Sequence, residues 1–133
     1  MALTLDQATI AKLAEHLENA ELQVHDVTKI TDDYPDMDWD DAYAIQDEIK
    51  RRKLARGNKV AGLKAGLTSR AKMKQMGVET PVFGFVADYM SVPDGGEVKF
   101  DELIHPKVEA EICVVTKAPL RGPAATSATS WRQ

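Results

Sequence analysis

We expect the fold of this chain to be organised around the stretch Pro106-Lys107-Val108-Glu109-Ala110-Glu111-Ile112-Cys113-Val114-Val115-Thr116. From residue 108 to residue 115, two sets of side chains alternate with the two-residue period of a β-strand. Glu109 and Glu111 would leave one face of that strand, with backbones roughly 6.5–7 Å apart. We therefore expect a strand at residues 106–116 with two carboxylates on the same face.

Paired carboxylates of this kind have two interpretations. Carboxylate oxygen is a hard ligand, so a metal bound by Glu109 and Glu111 would be magnesium, manganese or calcium rather than zinc. The alternative is the solvated outer face of an amphipathic strand, which is the commoner origin of Glu-x-Glu in an arbitrary sequence. The spacing alone leaves both interpretations open.

Composition limits the class of protein. The 133 residues match one ordinary domain, and 44% hydrophobic with 29% charged residues is typical of a globular protein. A net charge of −4 and the lack of a basic run argue against nucleic-acid binding. No apolar run approaches the roughly 20 residues of a membrane span, and there is no signal-peptide pattern. With Cys113 as the single cysteine, we expect a cytoplasmic protein without an internal disulfide.

The first 57 residues have helical patterns. A capping box at Thr4 and Gln7 followed by apolar residues at helical spacing predicts a helix over residues 5–20, with a continuation or restart to residue 27. Residues 31–38 are predicted to form an acidic loop. Asp38 is predicted to cap a second helix that Gly57 ends. The predicted helical subdomain therefore covers residues 1–57.

Beyond Gly57 the pattern changes to short strands. We predict extended segments at residues 60–67, 82–86 and 97–100, with a short helix at residues 70–76 capped by Ser69 and ended by Gly77. The expected fold class is α+β, a helical part followed by mixed strands.

Two further side chains are candidates for chemistry. Gly62 and Gly66 flank Lys64, which would let a ligand approach the ammonium closely, although the glycines would also suit a bend beside a solvated lysine. Asp88 directly follows an apolar strand, so we expect it to be partly buried; its simplest role is to bind neighbouring backbone amides.

Four segments together resemble the hydratase/decarboxylase family of the fumarylacetoacetate hydrolase superfamily, over about residues 3–123. They are Leu13-Ala14-Glu15-His16-Leu17-Glu18-Asn19-Ala20-Glu21-Leu22, Gly62-Leu63-Lys64-Ala65-Gly66-Leu67-Thr68-Ser69, Gly77-Val78-Glu79-Thr80-Pro81 with Phe83-Gly84-Phe85-Val86-Ala87-Asp88-Tyr89, and His105-Pro106-Lys107-Val108-Glu109-Ala110-Glu111-Ile112. The resemblance implies that residues 58–123 begin a β-rich catalytic domain.

The family also implies an activity and a site. Its members are magnesium- or manganese-dependent lyases of the meta-cleavage route for aromatic compounds. The resemblance places metal ligands at Glu109 and Glu111, catalytic residues at Lys64 and Asp88, and a third glutamate ligand further along the family's chain. It favours the decarboxylase branch, which converts 2-oxo-3-hexenedioate to 2-hydroxypenta-2,4-dienoate and carbon dioxide.

Alternatives and partners follow from the same resemblance. The sister hydratase activity is the nearest alternative, and a non-catalytic assembly fragment is an alternative of another class. Expected partners are a small 2-oxo acid substrate, further copies of the chain and the sister hydratase. Family members are roughly twice as long, and residues 124–133 do not resemble them. We interpret this tail as frameshifted and expect the chain to be a front half whose own activity is open.

Overall fold

The computed structural model of the chain describes residues 3–119. Its elements, in chain order, are α1 (Gln7–Gln23), α2 (Ile30–Asp33), α3 (Trp39–Ala55), β1 (Val60–Gly66), α4 (Arg70–Met76) and β2 (Val82–Ala87), with 3-10 turns at Asp88–Met90 and Phe100–Glu102. Helices followed by a small sheet make this part of the chain α+β, as predicted. None of the described helices has the length and apolar character needed to cross a bilayer.

The start of α1 differs from the prediction. Asp6, not Thr4, is the N-cap, and its carboxylate accepts a hydrogen bond from the backbone N–H of Thr9 at 2.7 Å. The helix ends at Val24, whose left-handed backbone (φ 52°) prevents continuation to residue 27. Both the predicted Thr4 capping box and the predicted continuation are therefore wrong.

The start of α3 confirms its prediction. Asp38 accepts a hydrogen bond from the backbone N–H of Asp41 at 3.0 Å, and Asp41 accepts one in return from the backbone N–H of Asp38 at 3.1 Å. This reciprocal capping box satisfies two helix-end donors. Gly57 follows the helix with φ 93°, a conformation that favours glycine. In the predicted acidic loop before α3, the short helix α2 occupies residues 30–33.

A small apolar core lies between α1 and α3. Ile10, Leu13 and Ala14 of α1 and Ile45 of α3 are buried together. The partly buried residues around them are Leu5, Leu17, Ile30, Tyr34, Met37, Ala44 and Ile49. Helical spacing places the core side chains of α1 and α3 on facing stripes, so the two helices bury one apolar face each. Leu5, Ile30, Tyr34 and Met37 pack against this core from outside the two helices.

Polar contacts show that α1 and α3 run in the same direction. At their beginnings, Thr4 donates to the Asp41 carboxylate from its backbone N–H (3.0 Å) and its hydroxyl (2.5 Å). Near their ends, Glu18 of α1 accepts hydrogen bonds from Arg52 and Arg56, each at 2.7 Å. Polar contacts at both ends thus fix the alignment of the two helices.

Strands β1 and β2 form an antiparallel two-stranded sheet. Lys64 pairs with Gly84 and Gly66 with Val82, and the register shifts between Val60 and Gly62. Between the strands lies α4, capped by Ser69 and followed by Gly77 in a left-handed conformation (φ 69°). These strands and this helix lie where the sequence predicted them.

Two predicted strands are absent from the described residues. Residues 106–116 have no regular structure, and Val108 and Ile112 are 101% and 96% exposed. Residues 97–100 are likewise irregular, apart from the start of a 3-10 turn. An alternating sequence becomes a strand only when a neighbouring strand pairs with it, and the described sheet consists of β1 and β2 alone. For the same reason Cys113 is exposed rather than packed.

Candidate functional site

Two of the predicted site residues contact each other. The Lys64 ammonium on β1 lies 2.9 Å from a carboxylate oxygen of Glu111, which belongs to the irregular segment after His105. The two side chains are 55% and 49% exposed, and they line one wall of an open cleft of about 440 Å³. The other lining residues are Ala65, Gly66, Leu67, Thr68 and Ile112. A cation and a carboxylate thus meet in a cleft accessible to small molecules.

Electrostatics keep Lys64 protonated. The hydrogen bond to Glu111 raises the pKa of Lys64 above its ordinary value, and the charges of Glu111 and Glu109 act in the same direction. A permanent cation at this position attracts carboxylates and enolates. Lys64 therefore suits the binding of an anion rather than the removal of a proton.

The glycines beside Lys64 differ in their surroundings. A side chain at Gly66 would approach Val82 to 3.1 Å, so close strand packing accounts for that glycine. A side chain at Gly62 would meet nothing within 4 Å. The strand register shifts between Val60 and Gly62, which fits the bend given above as the alternative role of this glycine. The Lys64 side chain is 55% exposed.

Asp88 lies at the other end of the hairpin. Ala87 pairs with Val60, four residues before Lys64 on β1, which places Asp88 roughly 13 Å from Lys64 along the strand. The side chain of Asp88 is exposed, contrary to our expectation of partial burial. It accepts a hydrogen bond from the backbone N–H of Tyr89 at 3.1 Å, which confirms the predicted role at the strand end. The structure therefore does not bring Asp88 to Lys64.

The surroundings of Asp88 favour its ionised form. Hydrogen bonding with the backbone of Lys59, and then with that of Tyr89, lowers the pKa of Asp88. The Asn58 amide nitrogen lies 3.5 Å from the same carboxylate. Asp88 is thus an exposed carboxylate that accepts hydrogen bonds from residues of its own turn.

Glu109 and Glu111 meet only part of what a metal needs. As carboxylates they are the oxygen donors that magnesium or calcium prefers. Within residues 3–119, however, no group of three or more His, Cys, Asp or Glu side chains could hold a metal ion. The Glu111 carboxylate is already paired with Lys64. The donor type therefore fits a hard divalent cation, whereas the number of donors in the described residues is too small.

Sequence reasoning missed a partly buried cluster of charged and polar side chains between α1, α3 and the 3-10 turn that follows β2. Glu18 and Lys53 are 1% and 2% exposed. We call this group the ion cluster; its members are Glu18, Glu21, Arg52, Lys53, Arg56 and Tyr89. A signal was present, because Glu18 follows Ala14 by four residues and continues the apolar stripe of α1.

Comparisons with known proteins agree with the resemblance. No family model matches the chain. A 4-oxalocrotonate decarboxylase of Pseudomonas putida is 67% identical over 123 residues, which is 92% of this chain and 47% of that protein. The solved structure of 4-oxalocrotonate decarboxylase from Pseudomonas putida G7, complexed with magnesium and adipate, has a TM-score of 0.87 at 66% identity and covers 92% of this chain and 46% of its own.

This chain is similar to these decarboxylases over most of its own length. Its similarity to hydratases is lower, since 2-oxo-hept-4-ene-1,7-dioate hydratase of Escherichia coli is 38% identical over 121 residues, 91% of this chain and 45% of that protein. The chain spans about half the length of the curated relatives it matches.

Proposed function

We propose that the protein is a carbon–carbon lyase that decarboxylates 2-oxo-3-hexenedioate to 2-hydroxypenta-2,4-dienoate and carbon dioxide. The observation that carries the proposal is the contact between Lys64 and Glu111 in an open cleft, in a chain 67% identical to 4-oxalocrotonate decarboxylases. Adipate, found in the relative's solved structure, is a six-carbon dicarboxylate like the proposed substrate. The alternative activity is that of a 2-keto-4-pentenoate hydratase, and the hydratases among the relatives compared are 35–44% identical to this chain.

The reaction breaks one carbon–carbon bond. The C5–C6 bond of the substrate breaks and C6 leaves as carbon dioxide. Its electron pair forms a C4–C5 double bond, the C3–C4 double bond moves to C2–C3, and the C2 ketone oxygen becomes an enolate. Protonation of that oxygen gives 2-hydroxypenta-2,4-dienoate. A catalyst must therefore stabilise negative charge on the C2 oxygen and supply one proton.

Lys64 is suited to the first task. A lysine side chain is an ammonium at neutral pH even without an acidic partner. Once Glu111 binds a metal ion, the Lys64 ammonium can hold a substrate carboxylate or the developing enolate oxygen by a charge-assisted hydrogen bond. Asp88 is proposed to help move the proton. Only the family resemblance supports the role of Asp88, because the hairpin separates it from Lys64.

Glu109 and Glu111 are proposed as two ligands of a magnesium or manganese ion. Their hard oxygen atoms and the magnesium and calcium in the relative's solved structures support this assignment. Such an ion would supply Lewis-acid polarisation of the C2 ketone. We expect a third oxygen ligand from the part of the family's chain that this sequence does not match. Glu111 would exchange its contact with Lys64 for the ion.

A metal titration tests the ligand assignment. Glu109→Gln keeps the volume of the side chain but removes its charge, so we expect manganese affinity to fall at least about tenfold. Calorimetry measures this on the chain extended by the second half of the Pseudomonas putida decarboxylase, which would supply the third ligand. Glu97→Gln, on an exposed segment away from the cleft, is the matched control and should bind as the parent does. An affinity unchanged by Glu109→Gln would remove this residue from the ligand set.

An activity assay tests the reaction. The purified chain, with magnesium or manganese, is compared with the same chain extended by the second half of the Pseudomonas putida decarboxylase. Carbon dioxide released by the extended chain, and lost with Lys64→Met, supports the proposal. Hydration of the dienoate without release of carbon dioxide would favour the hydratase instead.

Assembly is the second candidate function. The exposed apolar residues of segment 106–116, such as Val108 and Ile112, suit contacts with further copies or with the sister hydratase. Gel filtration with and without that hydratase measures this. A stable mixed complex without turnover would favour assembly over catalysis, whereas separate elution of the two proteins would remove this candidate.

A further inference from the structure

Asp88 lies in a turn that backbone hydrogen bonds define. Its backbone N–H donates to the carbonyl of Lys59 at 2.9 Å, and its own carbonyl accepts from the N–H of Ser91 at 3.2 Å. Its carboxylate accepts from the N–H of Tyr89. The direction of the Asp88 carboxylate therefore depends on where the backbone of Tyr89 is held.

The side chain of Tyr89 connects this turn to both long helices. Its hydroxyl accepts a hydrogen bond from the Lys53 ammonium of α3 at 2.7 Å and donates one to the Glu21 carboxylate of α1. Lys53 also donates to Glu21 at 2.8 Å and lies 5.2 Å from the centre of the Tyr89 ring. Three elements far apart in sequence thus meet at one phenol group.

The helical side of this connection is buried at Lys53. The Lys53 side chain is 3% exposed, and its ammonium lies 3.8 Å from the buried Glu18 carboxylate. Burial would lower the pKa of Lys53, but the hydrogen bonds to Glu21 and Tyr89 outweigh burial and raise that pKa. Because a buried cation must keep its partners, Lys53 holds the Tyr89 hydroxyl in one place.

We propose that Tyr89 is a positioning residue for Asp88, acting through the contacts of its hydroxyl with Glu21 and Lys53. The inference rests on the proposed function, in which Asp88 moves the proton. It gives the contacts of the Tyr89 hydroxyl a role in holding the turn that carries the exposed Asp88 carboxylate. It also assigns the charged ends of α1 and α3 a task at the site, in addition to joining the helices.

The test compares two Tyr→Phe variants of the 133-residue chain. Tyr89→Phe keeps the ring but removes the hydroxyl. Tyr43→Phe is the matched control, because the Tyr43 hydroxyl also joins α3 to β2, by accepting from the backbone N–H of Phe83 at 3.2 Å. Carbon-13 NMR measures the pKa of the Asp88 carboxyl, and amide hydrogen exchange measures protection at residues 88 and 89.

With Tyr89→Phe we expect the pKa of Asp88 to rise toward its ordinary value of 3.8 and exchange at these two amides to accelerate at least about tenfold. Tyr43→Phe should leave both readouts unchanged. Glu21→Gln keeps an acceptor for the Tyr89 hydroxyl, so it should change the Asp88 pKa and the amide exchange less than Tyr89→Phe does. It replaces Tyr89→Phe in the test if that variant does not fold. An unshifted Asp88 in a folded Tyr89→Phe variant would overturn the proposal.

The two proposals fail in different ways. If Tyr89→Phe moves the NMR readouts while Asp88→Asn leaves decarboxylation intact, the catalytic role of Asp88 is wrong and the positioning by Tyr89 stands. If Asp88→Asn abolishes decarboxylation while Tyr89→Phe changes neither the Asp88 pKa nor kcat, the positioning role is wrong and the proposed function stands.

Discussion

Replacement of Glu18 by glutamine should destabilise the fold strongly. The Glu18 carboxylate accepts hydrogen bonds from Arg52 and Arg56, both at 2.7 Å, and its side chain is 0% exposed. Glutamine keeps the volume of the side chain, so the substitution removes charge without opening a cavity. Arg52, Arg56 and Lys53 then lose the buried carboxylate that all three contact. Leaving a buried charge without its partner costs free energy of folding.

The exposure of the cations sets the size of the effect. Removing one partner of a buried ion pair costs about 3–5 kcal/mol. Because Arg52 and Arg56 are 27% and 40% exposed, water can solvate part of their charge. We therefore expect a loss near the lower end, about 3 kcal/mol. For a slope of about 2 kcal/mol per molar urea, the unfolding midpoint should fall by roughly 1.5 M.

Glu15→Gln provides the matched control. Glu15 lies on the same helix and faces the same Arg52 at 3.8 Å, but its side chain is 59% exposed. Exposed pairs of this kind contribute about 0–1 kcal/mol. Urea unfolding followed by circular dichroism at constant slope measures both variants. If Glu18→Gln lowered the midpoint no more than Glu15→Gln does, our account of the ion cluster would be wrong.

Two further predictions concern acid stability and the apolar core. Burial would raise the pKa of Asp41, but hydrogen bonds from Thr4 and neighbouring backbone amides hold that pKa at about 2. The ionised Asp41 carboxylate therefore stabilises the fold fully at a pH above its ordinary pKa of 3.8. This contribution is lost as the pH falls toward 2. Asp41→Asn should flatten the fall of Tm between pH 5 and pH 2, and parallel curves for parent and variant would contradict this. Ile45→Ala, at a residue 2% exposed, should cost about 2–5 kcal/mol in thermal unfolding, whereas Leu63→Ala, at a residue 83% exposed, should cost about nothing.

The helix ends that the sequence predicted correctly depend on interactions between residues close in the chain. The Asp38 cap, the Ser69 cap and the glycines at positions 57 and 77 act through contacts within a few residues, so their signals are complete in the sequence. The hairpin strands were also predictable, because each combines apolar residues with glycines at its ends or middle. Lys64 was placed on β1 for this reason.

Long-range partners explain what sequence reasoning missed. The alternation in residues 106–116 predicts a strand, but a strand also needs a neighbour, and the pattern does not supply one. The contact between Lys64 and Glu111 joins positions 47 residues apart, so spacing could not predict it. In the sequence, Lys53 resembles an ordinary solvated charge of a helix surface. The packing of α1 against α3 brings its ammonium within 3.8 Å of the Glu18 carboxylate and buries both side chains.

The contacts of α3 with β2 determine how the hairpin is aligned. Between Gly66 and Val82 lies a connection that includes a whole helix, so no tight turn sets which residues of β1 and β2 face each other. Tyr43 instead binds the backbone of Phe83, and Lys53 binds the side chain of Tyr89. A slip of β2 by one residue would break both contacts at once. Contacts from α3, which lies outside the sheet, therefore disfavour other registers of β1 against β2. We expect β1 and β2 to reach their native register only after α1 and α3 have packed together.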